Sequence, residues 1–182
     1  MDAPGRPDFV EFFKELDGIA RRAYSGDGCP PITAALQRRG GELVTVCFDA
    51  GPERNPRYLQ IMRLMALAFE AVHFGFVMDA WYVKGAKPGD PVPVAEHRLE
   101  GVMVMAYQLG SPLPSMNAYR VARPELGGRR VLTIDPDGGG LIEWGAHVLP
   151  SKPAPPWLPK MARQALDQMG VPLPWKEIVG SG

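Results

Sequence analysis

The sequence is short of the residues on which a quick functional assignment usually rests. It holds two cysteines, Cys29 and Cys47, in 182 residues. They form no CxxC pair and no disulfide framework, which excludes a thioredoxin-like motif, a paired-cysteine zinc site and a small secreted scaffold. Three histidines without an H-E-x-x-H helix exclude the common zinc-hydrolase signature. Twenty basic residues balance twenty acidic ones, so no global field draws the chain to nucleic acid or to an anionic membrane. No apolar run approaches the roughly 20 residues of a membrane span. The opening MDAPGRPDF lacks a basic stretch followed by an apolar one, so no secretory signal is expected. A cytoplasmic protein is expected, or one in the host cytoplasm or virion if phage-encoded.

Nucleotide and acyl-transfer signatures are missing as well. No P-loop occurs and no G-x-G-x-x-G opens a helix after a strand. Ser25, Ser111, Ser115 and Ser151 lie in no G-x-S-x-G elbow. DPDGGGLIE starts like a calcium loop at Asp135 and Asp137, but Gly139 and Ala146 stand where ligands five and twelve are needed. A glycine-rich turn explains that stretch, and no cofactor is expected.

What is present is a core. With 46% hydrophobic residues the chain can bury one without staples, and residues 1–182 are expected to form a single domain. Arginine outnumbers lysine and Asn is scarce, a bias suggesting a GC-rich source. Asp8 and Glu11 have the spacing of a capping box before Phe9, Phe12, Phe13, Leu16 and Ile19, which recur at helical period. Gly40–Gly41 between ITAALQ and LVTVCF predicts a hairpin, with Cys47 a buried free thiol. Asn55 and Pro56 open a second helix that is apolar around much of its circumference, and so is buried on more than one side. The pattern carries this helix to His73, whose ring would meet its terminal carbonyls.

Strands are then expected at Phe76–Val83, Gly101–Leu109, Asn117–Ala122, Arg130–Ile134 and Leu141–Leu149, punctuated by glycines. Residues 150–159 hold five prolines and read as a stiff connector. It leads to a third helix ended by Gly170 and Pro172, with 171–182 as a tail. The sum is α+β: a mostly antiparallel sheet of five to seven strands with a central buried helix and flanking N- and C-terminal helices, an element order shared with profilin-like and roadblock-like domains.

Candidate chemistry gathers in two places. In HFGFVMDAWYVKG, alternation puts Asp79 on one strand face with Val77 and Trp81, where an acid must find a partner; Trp81 is expected to pack under the second helix. VAEHRLEG, closing the long 84–100 connection, supplies Glu96, His97 and Glu100. Asp79, Glu96 and His97, with Glu100 as a spare ligand, could hold a divalent metal or act as acid and base. A satisfied core acid and a solvated loop base account for the same residues. Arg38, Arg39, Arg129 and Arg130 are candidate phosphate contacts for nucleic acid, but as dispersed pairs on a neutral chain they equally describe a solvated surface. Trp157 and Trp175 are candidate interaction residues.

DAWYVKG followed by AEHRLEGVMVMAYQ resembles a set of small uncharacterised proteins of bacteria and their phages, over roughly residues 30–110. In them an acid-Ala-Trp strand precedes a polar loop and an apolar strand; here Asp79 stands where Glu is usual. The resemblance implies a fold and carries over no catalytic residue. The leading expectation is therefore a non-catalytic interaction or assembly protein of bacterial or phage origin, associating with itself or another protein. A metal-dependent hydrolase or nuclease, and a nucleic-acid accessory factor, are the alternatives.

Overall fold

A computed structural model describes residues 8–24, 32–49, 55–82, 99–111, 114–122, 131–136 and 143–171. Asp8 caps the first helix, α1 (Phe9–Ala23), by accepting a hydrogen bond from the Val10 amide at 2.9 Å. Glu11 binds Lys14 at 2.7 Å on the exposed side. The opposite side buries Phe12, Leu16 and Ala20, each four residues on from the last, and Tyr24 continues the stripe. Burial of Phe12 and Leu16 contributes about 1.5–3 kcal/mol each.

The hairpin forms as its glycines suggest. Strands β1 (Ile32–Arg38) and β2 (Leu43–Phe48) pair antiparallel, and Gly41 takes φ 93° in the turn. Helix α2 (Pro56–Ala68) begins with Asn55 accepting from the Arg57 amide. It ends earlier than its apolar pattern implies. Phe69 caps it and Glu70 adopts φ 53°, the position at which glycine usually stops a helix. Strand β3 therefore starts at Ala71 and runs to Tyr82, and His73 belongs to this strand rather than to the helix terminus. From residue 71 onward, pairing with β1 and with the strand at Leu99–Gln108 holds the run AVHFGFVMD as a strand.

Strands β4 (Leu99–Gln108), β5 (Ser115–Ala122) and β6 (Val131–Ile134) complete a six-stranded antiparallel sheet in the order β2-β1-β3-β4-β5-β6. The fold is α+β with mostly sheet. Leu141–Leu149, expected as a strand, instead contains a 3-10 helix at Glu143–His147. There the Gly145 backbone lies flat against Tyr107, so close that a Cβ on Gly145 would stand 2.5 Å from the phenol oxygen. Arg63 Nε holds the end of this turn through the His147 carbonyl at 2.8 Å. Helix α3 (Leu158–Gln168) follows and runs antiparallel to α2: Arg57 reaches the Met169 carbonyl and Arg163 reaches that of Ala68.

Strand alternation sorts the core into two layers. Phe74, Phe76, Met103, Met105 and Tyr107 point toward α2 and α3. Ala35, Val77, Val102, Val104 and Tyr119 form the layer that α1 covers. The side chain of Trp81, expected to pack under the second helix, lies outside the described residues. Cys47 lies on the edge strand β2 and is exposed, not buried, with its sulfur 3.9 Å from Thr33 Oγ1.

Beneath α1, the register lines up Ala35, Gly75 and Ala106 across three adjacent strands. This row of small residues makes a trough that Leu16 enters. A Cβ at Gly75 would clash with Leu16 Cδ1 and stand 2.9 Å from the Met105 carbonyl oxygen. Gly75→Ala is expected to destabilise the protein by about 1–3 kcal/mol through overpacking, more than the roughly 0.5–1 kcal/mol returned by lower backbone entropy. Urea denaturation measures this, and a double-mutant cycle with Leu16→Ala should show coupling between the two positions.

Candidate functional site

Asp79 and Glu100 share one face of the sheet. Asp79 pairs with Val102 and Trp81 with Glu100, so the two acids occupy diagonal positions on adjacent strands, where Cβ atoms stand about 7–8 Å apart or somewhat less. Both side chains are half-buried. Glu96 and His97 fall outside the described residues, as do Arg129, Arg130 and Trp175. Among the described residues no three His, Cys, Asp or Glu side chains stand close enough together to hold a metal ion.

Arg38 and Arg39 lie at the hairpin end of the sheet, at the mouth of a groove. Cavities of about 420, 340 and 200 Å³ open there. The first and last share Arg39, Val72, Leu109 and Pro153, and the middle one joins them through Pro150, Gln108 and Ser151. Four segments build this groove: the β1–β2 turn, the α2–β3 junction, the β4–β5 turn and the proline-rich strap before α3. Glycines at 40 and 110 bring backbone to its rim, and Gly110 takes φ 83°.

The two arginines differ in kind. Arg38 stands between two carboxylates, with Nε 3.8 Å from Glu42 and Nη2 3.8 Å from Glu70, and its guanidinium lies 5.6 Å over the Phe69 ring. Such exposed pairs are worth about 0–1 kcal/mol, but they neutralise the charge that a phosphate would need. Arg39 has no ion pair among the described residues. Sequence reasoning missed Glu42 and Glu70 because nothing in their spacing places an α2–β3 junction beside a hairpin tip.

A polar row underlies the groove. Gln37, His73 and Gln108 are register partners on β1, β3 and β4. The Gln37 amide nitrogen donates to the Gly41 carbonyl at 3.3 Å, which turns its oxygen toward His73 Nδ1 at 2.9 Å. That oxygen only accepts, so Nδ1 carries the proton of a neutral imidazole. The ring is 1% exposed and packs against Phe9 and Phe12. Burial pushes its pKa below the ordinary histidine range, against a smaller upward pull from Asp8.

A second polar cluster ties α1 to β5. Asp17 accepts from the Tyr119 hydroxyl, from Asn117 Nδ2 at 3.1 Å and from Arg21 Nε at 2.9 Å. Arg21 also reaches the Tyr119 hydroxyl at 3.2 Å and lies over its ring. Burial raises the Asp17 pKa, but the three donors together outweigh it and hold the carboxyl below its usual value. Burial, with the bond to Asp17 adding to it, drives Tyr119 up to about 12. The Asp17–Arg21 spacing of four on a helix is the one signal of this cluster that the sequence carries.

These two groups titrate in separate windows. A folded-state pKa below the unfolded value means that His73 supports folding above its unfolded pKa of about 6.5, and that this support is lost as the pH falls below it. Asp17 acts lower: its contribution is present above its unfolded pKa of about 3.9 and disappears as the pH falls through its folded value. Between about pH 7 and pH 5, stability should decline by up to about 1.4 kcal/mol per pH unit, the slope of one proton. Urea unfolding across that range checks this, and His73→Phe should flatten the slope.

Trp157 and Met161 are one helical turn apart at the start of α3 and are 59% and 55% exposed. Pro155 and Pro156, also exposed, extend this apolar surface. No protein-family model, curated protein or solved structure significantly matches the chain, so the functional reading rests on this geometry.

Proposed function

We propose that the protein is a non-catalytic interaction or assembly protein that associates with itself, in keeping with its likeness to small bacterial and phage proteins. The surface at Trp157 carries this reading. A tryptophan and a methionine, adjacent on one helix face and both more than half exposed, leave apolar area in water that a partner would remove. The proline-rich strap holds them at low conformational cost, which favours binding over disorder. Separately from this surface, edge strand β6 also exposes Val131 and Ile134. Tryptophan is also the residue type most often dominant in protein interfaces.

The metal-dependent alternative retains one favourable observation, the diagonal placement of Asp79 and Glu100. It requires a bound metal that Asp79→Ala removes; native mass spectrometry of protein purified without chelator, showing no such adduct, would count against it.

For the assembly reading, sedimentation velocity at tens of micromolar should show an oligomer. Trp157→Ala with Met161→Ala should weaken it by at least about 2 kcal/mol, roughly thirtyfold in dissociation constant. The same pair should change the folding stability of isolated protomers by no more than about 0.5 kcal/mol each, as exposed positions do. A wild-type monomer under these conditions would sink the proposal.

A further inference from the structure

The groove at the hairpin end of the sheet lies apart from the Trp157 surface and has its own chemistry. We propose that it binds a small apolar carboxylic acid that also carries a hydroxyl or N–H donor. Its largest cavity, about 420 Å³, is of the size that encloses small organic molecules. Leu67, Val72, Leu109, Pro150 and Pro153 give it mostly apolar walls, the lining that such sites favour.

Charge selects the anion. Arg39 lines both the 420 and the 200 Å³ cavities and has no ion pair among the described residues. A guanidinium fits a carboxylate through two parallel N–H donors. Glu42 and Glu70 stand in the same wall beside Arg38. Two carboxylates already balancing the second arginine repel a polyanion, so a monoanion fits where a phosphate chain does not.

His73 selects the donor. It lines the 200 Å³ cavity with Arg39, and its Nδ1 proton is committed to Gln37. Nε2 is then an acceptor, and no described group donates to it. A buried acceptor without a donor calls for a partner. A ligand hydroxyl or N–H supplies one while its carboxylate is held at Arg39.

The test uses the full chain with three probes: 3-hydroxyoctanoate, octanoate and 1,3-octanediol. Isothermal titration gives affinity, and the His73 Nε2 nitrogen-15 shift reports whether the probe reaches the groove. The expected order is 3-hydroxyoctanoate tightest, octanoate weaker, the diol weakest. Arg39→Gln, at an exposed position, should reduce affinity for both acids about tenfold or more and leave the diol unchanged, as expected for loss of a charge-assisted bond. Any of three results overturns the proposal: no saturable binding of either acid, a diol that binds as well as the acids, or binding that leaves the His73 signal in place. Since every readout is made on the chain in whatever oligomeric state it adopts, failure here does not bear on assembly, nor failure of assembly on this site.

Discussion

Helix α1 can lie on the sheet because three neighbouring strands present almost no side chain beneath it. Ala35, Gly75 and Ala106 form that row, and Leu16 fills the space they leave. The rest of one layer follows from this seat. With Leu16 placed, Phe12 and Ala20 lie one turn to either side, Phe12 meets His73, and Tyr24 arrives where its hydroxyl donates to the Val77 carbonyl at 2.8 Å. Dispersion contacts are individually tiny and fall away over fractions of an ångström. A helix held off by one added methyl group would therefore loosen the whole stripe and not only one contact. The polar cluster at Asp17 fixes the same helix at a further point near β5, and the His73 ring on β3 packs against its Phe9 and Phe12.

Much of this layer is legible in the sequence, and the reasons are local. Asp8 before an apolar period, Asn55–Pro56, and Gly40–Gly41 each determine backbone geometry through their own chemistry, so the elements they bound appear as expected. What fails is whatever depends on distant residues. The run through His73 carries helical and strand periods at once, and only pairing with β1 and β4 resolves it, after Glu70 has turned the chain in a conformation usually left to glycine. Cys47 sits in an apolar run, but edge position decides its exposure, and a strand's place in a sheet is not written in its own residues. The 3-10 turn at Glu143–His147 likewise depends on Tyr107, far away in sequence.

The candidate sites divide along the same line. Alternation places Asp79 on its face correctly, since period two is a property of any strand. Register brings Glu100 diagonal to it, which no spacing reveals. Arg38 and Arg39 stand out in sequence as a basic pair, yet the structure separates them: one is balanced by Glu42 and Glu70, the other is left as the groove's unpaired cation among the described residues. A basic dipeptide is thus a poor guide to a phosphate surface, because the neutralising acids come from other elements.

The proline-rich strap links the two surfaces that carry the functional argument. Pro150 and Pro153 wall the groove, and four residues beyond Pro153 the chain presents Trp157. Prolines at 150, 153, 155, 156 and 159 fix φ at half of the ten positions of this span. Pro159, in the first turn of α3, is buried, as position and missing N–H allow. Anchored at one end by the Arg63 bond to His147 and at the other by α3 packing on α2, the strap has little freedom to let one surface shift without the other. An apolar residue pair held out in water by such a stiff segment keeps its exposure at little entropic cost, whereas the same pair on a flexible arm would collapse onto the nearest apolar surface. That stiffness is why the exposure of Trp157 and Met161 argues for a partner rather than for loose packing.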